Sequence, residues 1–241
     1  MTTTSRLPAW PSTQIRACRL FLMTLLVTAA TACASGAPRN VQSQALVDQS
    51  KATVELFKAR NKDSTALFNA ALRDARGIII FPDVFEAAIG VGGQGGSGVM
   101  VARDANGTWG YPAFYRISGG SLGIQLGAQS SEVIFLLMSD AAVKKVIDSP
   151  SQFGIGAQAT FGELGGGGSS ATTVQGADIS GFTKGSGLFL GGALSGAYVS
   201  AQQPLNQSYY RDNAVTPRAI LIDHRVSNPQ ADGLRSALVV N

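Results

Sequence analysis

The chain has 241 residues, 45% of them hydrophobic and 14% charged, which excludes an intrinsically disordered chain, since disorder needs low hydrophobicity and high charge. Three of its bases, Arg6, Arg16 and Arg19, lie in an N-terminal segment without acids, so removing that segment takes the formal charge from +4 to +1. That balance argues against a globally basic nucleic-acid binder, and the two cysteines, Cys18 and Cys33, leave no disulfide framework once Cys18 departs.

Residues 20–30 (LFLMTLLVTAA) are an apolar run behind Arg16 and Arg19 that ends at Thr31, Ala32 and Cys33. This is the layout of a secretory signal, and the run is too short to span a bilayer as a helix. Cys33 after Ala30, Thr31 and Ala32 resembles a bacterial lipobox, in which the thiol is acylated and the preceding peptide removed. Residues 1–32 are then a lipoprotein signal peptide, 33–43 a flexible tether and 44–241 one domain. With no aspartate at Ala34 or Ser35, the expected destination is the outer membrane, with the domain facing the periplasm; a secreted or periplasmic protein follows if Cys33 is not acylated.

Residues 42–76 read as two amphipathic helices. In the first, Leu46, Val47, Val54, Leu56 and Phe57 share one side, while Lys51, Glu55, Lys58 and Lys62 form the opposite stripe. Asp63 or Ser64 caps the second, which runs through Leu67, Phe68, Ala71 and Leu72. From Gly77 the apolar period switches to two, and strands are expected at 77–81, closed by Pro82, and at 85–91, 98–103, 108–118, 121–129 and 132–138. Asn106-Gly107 is a hairpin turn signal. Ser139 caps a short helix over 140–147, strands resume at 153–161, 177–183 and 187–200 around a 165–170 loop, and a last helix runs from Pro229 to Val239. The fold class is α+β: a curved, mostly antiparallel sheet with an N-terminal helix pair, a mid-chain helix and a C-terminal helix.

Of 29 glycines, 27 fall between Gly77 and Gly196. Glycine weakens strands, so this density calls for bulges, sheet curvature or a close approach of another group to the backbone. Two local patterns imitate functional motifs. Gly90, Gly92 and Gly95 satisfy G-x-G-x-x-G, but strand residues follow where a dinucleotide site needs a helix N-terminus. Gly119-Gly120-Ser121-Leu122-Gly123 fits a nucleophile elbow, with Asp140, Asp178 or Asp223 and His224 as partners. A serine hydrolase using Ser121 is the remote alternative, because glycine alternation continues the strand where the elbow must turn into a helix. With one histidine and no free mature cysteine, no metal site and no cofactor are expected.

Several ordered blocks carry a family resemblance: Ala75 to Pro82 (ARGIIIFP), Gly92 to Met100 (GGQGGSGVM), Trp109 to Phe114 (WGYPAF), 118–129 with Glu132-Val133-Ile134, 153–157 (FGIGA), 184–189 (KGSGLF) and 206–210 (NQSYY). Together they resemble the SYLF domain family. Gln158, Phe182 and Arg211 depart from its aspartate, tyrosine and glycine. The resemblance implies a non-enzymatic domain that binds anionic membrane lipids, phosphoinositides in eukaryotic members, some of which also bind actin. In a bacterial envelope it implies acidic phospholipid or lipopolysaccharide as ligand and no actin.

The residues accommodate that function without requiring it. Each base near an anionic surface contributes about 1 kcal/mol, and Lys51, Lys58, Arg60, Lys62, Arg73 and Arg76 form the candidate headgroup set, with Trp109 as interfacial ring. The same bases also read as a solvated helix face, and Trp109, Tyr111, Phe114 and Tyr115 as cross-strand or core aromatics. A structural or protein-interaction module with an envelope protein partner is the alternative from another class.

Overall fold

The apolar period beginning at Gly77 produces two long strands where shorter ones were expected. A computed structural model describes residues 37–59, 62–148, 154–155, 159–163, 179–184 and 197–240. The folded unit begins with helices α1 (Arg39–Lys58) and α2 (Lys62–Asp74), so α1 starts inside the expected tether. Strands β1 (Gly77–Ala102) and β2 (Ala113–Leu137) follow, then helix α3 (Asp140–Asp148) and strands β3 (Gly154–Ile155), β4 (Ala159–Glu163), β5 (Ile179–Lys184) and β6 (Ala197–Ala201). Helices α4 (Gln203–Tyr210) and α5 (Pro217–Leu221), a 3-10 turn (Pro229–Ala231) and α6 (Asp232–Ala237) complete the chain.

Pro82 does not close a strand. Pairing passes from Phe81 opposite Val133 to Val84 opposite Ser131, so Pro82 and Asp83 together face Glu132. A bulge tolerates a residue that has no N–H to give to the ladder. A second register shift lies between Ile89 and Val91. Bulges bend and twist a strand, and here the two arms of β1 come side by side: the Arg103 N–H donates to the Arg76 carbonyl at 2.9 Å. A Cβ on Gly98 would overlap the Ile80 carbonyl oxygen and lie 2.6 Å from Phe81 Cδ1. One on Gly96 would overlap the Asp83 carbonyl oxygen. Close backbone approach is therefore the reason for these two glycines.

The sheet order is β3-β6-β2-β5-β4, with β1 paired along β2. Every pairing is antiparallel except β4 with β5. The hairpin expected at Asn106-Gly107 forms, with Gly107 at φ +80°, Arg103 bridged to Trp109, and Asp104 Oδ1 accepting from the backbone N–H groups of Asn106 (2.9 Å) and Thr108 (2.8 Å).

The run Ile78-Ile79-Ile80-Phe81 is continuous because both faces are covered. Ile79 and Phe81 pack with Phe135, Val143, Val146, Ile220 and Leu221 on one side. Ile78 and Ile80 pack with Val54, Phe57, Phe68, Leu72, Leu205 and Leu234 on the other. Phe182, at the expected tyrosine position, meets Phe68 edge-on at 5.2 Å, so its ring belongs to the core. Ser139 caps α3 as expected, accepting from the Ala142 N–H at 3.1 Å.

The sequence reading missed α4 and α5, and the helix expected over 229–239 divides into a 3-10 turn and α6. The sequence of α4, QPLNQSYY, has little apolar periodicity; tertiary contacts hold it. Asn206 is fully buried and its Oδ1 accepts from the Phe114 N–H at 2.8 Å, and the Tyr210 hydroxyl donates to the Pro112 carbonyl at 2.6 Å. Arg211 ends α4 in the left-handed region, at φ 54°, where its Cβ is strained and glycine is not. A glycine here, as the SYLF resemblance implies, would carry no such strain. Arg211→Gly should raise stability by about 0.5–1 kcal/mol, the relief of strain exceeding glycine's extra unfolded-state entropy; a shift of the urea midpoint without a change in m-value measures it.

Candidate functional site

The basic stripe read from the sequence does not assemble into one surface. Lys51 pairs with Glu55 at 3.6 Å, both side chains about half exposed, a solvated helix pair of small energetic value. Lys58 is spent: its Nζ donates to the carbonyls of Ala237 (2.9 Å), the last residue of α6, and Val239 (2.6 Å), just beyond it. Arg76 pairs with Asp140 at 2.9 Å. Arg60 lies outside the described residues, as does the side chain of Lys62. Trp109 is 3% exposed, which corrects its reading as an interfacial ring. It carries β2's approach to the C-terminal segment, its indole N–H donating to the Leu238 carbonyl at 3.1 Å. Phe114 and Tyr115 are buried as well.

Arg73 is the member of the expected set that enters a site. It stands exposed in the last turn of α2, with no hydrogen-bond or ion-pair partner among the described residues. It borders a cleft of about 680 Å³ whose other cations, Arg103 and Arg235, the sequence reading did not choose. Three segments far apart in sequence meet there: the end of α2, the β1–β2 turn and α6.

Arg103 is the fixed element. Its guanidinium lies 4.1 Å from the centre of the Trp109 ring and donates to the carbonyls of Ala75 (3.0 Å) and Leu72 (3.3 Å). These carbonyls lie at the end of α2, where helices leave acceptors unpaired. Burial and then the charge of Arg76 lower its pKa, but a guanidinium stays protonated in proteins. No carboxylate pairs with it among the described residues. Arg235 sits 4.3 Å from the Tyr111 ring centre, donates to the Trp109 carbonyl at 2.9 Å and pairs with Asp232 at 2.7 Å. Three guanidinium groups thus face one carboxylate, with Thr108 and Ser236 beside them. Guanidinium geometry suits paired oxygens of a carboxylate or a phosphate.

The register did not reveal Arg103. A two-residue turn at Asn106-Gly107 opposes residues 103 and 110, whereas the loop that forms covers residues 105–107 and sets Arg103 opposite Trp109. Nothing local marks Arg235.

The two imitation motifs resolve as strand. Gly90 to Gly95 lies within β1 and Ser121 within β2, opposite Gly92; neither is followed by a helix N-terminus. Asp140 is paired with Arg76 and Asp223 with Arg225 at 3.5 Å, and Asp178 lies outside the described residues. His224 has φ 49°, and its ring is so close to Gly110 that a Cβ there would lie 2.7 Å from Nδ1.

Comparison with known proteins gives one family. A family model described as "Ysc84: Las17-binding protein actin regulator" matches residues 118–240. Protein YSC84 of Saccharomyces cerevisiae is 30% identical over 171 residues, 68% of this chain and 35% of that protein. LAS seventeen-binding protein 3 of the same yeast is 27% identical over 168 residues, 66% of this chain and 35% of its own length. SH3 domain-containing YSC84-like protein 1 of Homo sapiens is 27% identical over 164 residues, 63% of this chain and 45% of its own length. The similarity therefore spans less than half of each relative.

Proposed function

We propose that this chain, which belongs to the SYLF (Ysc84) family, is a non-catalytic lipid-anchored protein of the outer membrane that binds anionic phospholipid headgroups. The observation that carries the reading is the cleft of Arg73, Arg103 and Arg235, where positive charge exceeds negative and one guanidinium has its donors unspent. A phosphate oxygen is the matching acceptor. Acylation of Cys33 would supply the anchor, and a headgroup contact would add to it and orient the domain on the membrane.

The protein carrying Cys33→Ala tests this without the anchor. It should sediment with vesicles containing phosphatidylglycerol, less so at high salt. Arg73→Glu should weaken that partitioning about tenfold or more, since each base contributes about 1 kcal/mol and the reversal counts twice. Equal retention on phosphatidylcholine vesicles, or none on either, overturns the proposal.

A second reading is favoured by the description of the family model, Las17-binding protein actin regulator, and by the name of the relative LAS seventeen-binding protein 3. In it the domain contacts a protein partner in the envelope. Membrane association then vanishes completely with Cys33→Ala, and Arg73→Glu changes nothing.

A further inference from the structure

A second cleft lies apart from the arginines. It is formed by the first turns of α1, the C-terminal end of α4 and residues 227–230, and has a volume of about 710 Å³, within the range of small-molecule sites. Its charge is balanced, with Asp48 on α1 and Arg211 at the end of α4. Three of its other polar side chains are unspent: those of Asn40, Ser208 and Ser227 make no hydrogen bond to any described residue.

The wall is also set in orientation. Gln44 Nε2 donates to Asp48 Oδ1 at 2.9 Å and to the Gln230 carbonyl at 3.4 Å, tying α1 to the 227–230 lip, while Gln44 Oε1 is buried without a donor and is closed to a ligand. Tyr209, 5% exposed, borders the cleft, and its hydroxyl is likewise without a partner. Asn228 Nδ2 donates to the Tyr209 carbonyl at 3.1 Å, and Asn228 Oδ1 accepts from the Gln230 N–H at 3.1 Å. The lip is therefore held before anything binds, which lowers the entropic cost of binding.

We infer that this cleft binds a neutral polyhydroxylated ligand, one or two sugar units of a glycan. Cancelled charge disfavours a simple cation or anion. Carboxylate and amide acceptors stand beside guanidinium, amide and hydroxyl donors, and a sugar hydroxyl both donates and accepts. The inference is independent of the lipid reading, because none of its residues borders the arginine cleft.

Saturation-transfer NMR and calorimetric titration of the purified protein with maltose, cellobiose and N,N′-diacetylchitobiose test it, with ethanolamine and inorganic phosphate in parallel. At least one disaccharide should bind with a Kd of about 1 mM or tighter. Asp48→Ala should weaken that binding about tenfold and Asn40→Ala to a lesser extent, with unchanged thermal melting. Arg73→Glu should leave it untouched. No sugar binding at about 10 mM overturns the inference. So does binding indifferent to both variants, or ethanolamine or phosphate competing for this cleft more tightly than any sugar.

Discussion

An alanine at position 98 is expected to unfold the protein or leave it insoluble, while an alanine at position 93 is tolerated. At Gly98 the added methyl overlaps the Ile80 carbonyl and lies 2.9 Å from its carbon. Neither atom belongs to a side chain that can rotate away, so the two arms of β1 must separate. Overpacking a core costs about 1–3 kcal/mol when side chains can yield; against backbone the cost should be about 3 kcal/mol or more, a large part of a stability of about 5–15 kcal/mol. Gly93 is exposed and has nothing within 4 Å of the same atom, so its alanine should shift the urea midpoint little. If Gly98→Ala melts with the parent protein, the folded-back ribbon is wrong.

This contrast explains what the glycines conceal in the sequence. Glycines spaced by two look alike along the chain, yet Gly96 and Gly98 admit a backbone, Gly107 supplies a positive φ, and Gly93 does neither. Only the fold-back of β1 separates them, and it rests on two bulges whose marks are faint. Pro82 looked like a terminator because proline usually is one. Elements that signal through local chemistry were readable: the Asn106-Gly107 turn, the Ser139 cap and the isoleucine run. The N-terminal helix pair was readable too, although its boundaries were not. Helix α4 was not, because buried Asn206 satisfies the Phe114 N–H from 92 positions away. The site follows the same division. A stripe of lysines at helical spacing is visible in sequence, but whether a lysine is free depends on what lies beyond it, and two carbonyls near the end of α6 take Lys58.

Trp109→Ala should cost about 3–5 kcal/mol, the range for deleting a buried large aromatic, and the loss should fall first on the C-terminal segment. The indole N–H holds the Leu238 carbonyl and the ring face carries Arg103, while the Trp109 backbone carbonyl, which accepts from Arg235, survives the substitution. Removing the ring also takes the cation–π contact from Arg103, whose hydrogen bonds to the carbonyls of Ala75, Leu72 and Gly107 remain. Trp109→Phe separates packing from hydrogen bonding: it keeps an aromatic face and loses the N–H, so it should cost about 1–3 kcal/mol for the orphaned carbonyl and lost volume. The functional consequence differs from that of a membrane-seated tryptophan. An interfacial ring gives up vesicle binding when replaced by phenylalanine while stability stays constant. A buried one gives up stability while vesicle binding of the folded fraction stays constant. Urea denaturation beside vesicle sedimentation, on the same Cys33→Ala background, distinguishes them. Trp109 also lines the arginine cleft, so if Trp109→Phe lowers partitioning at unchanged stability, the ring takes part in headgroup binding and its purely structural role is wrong.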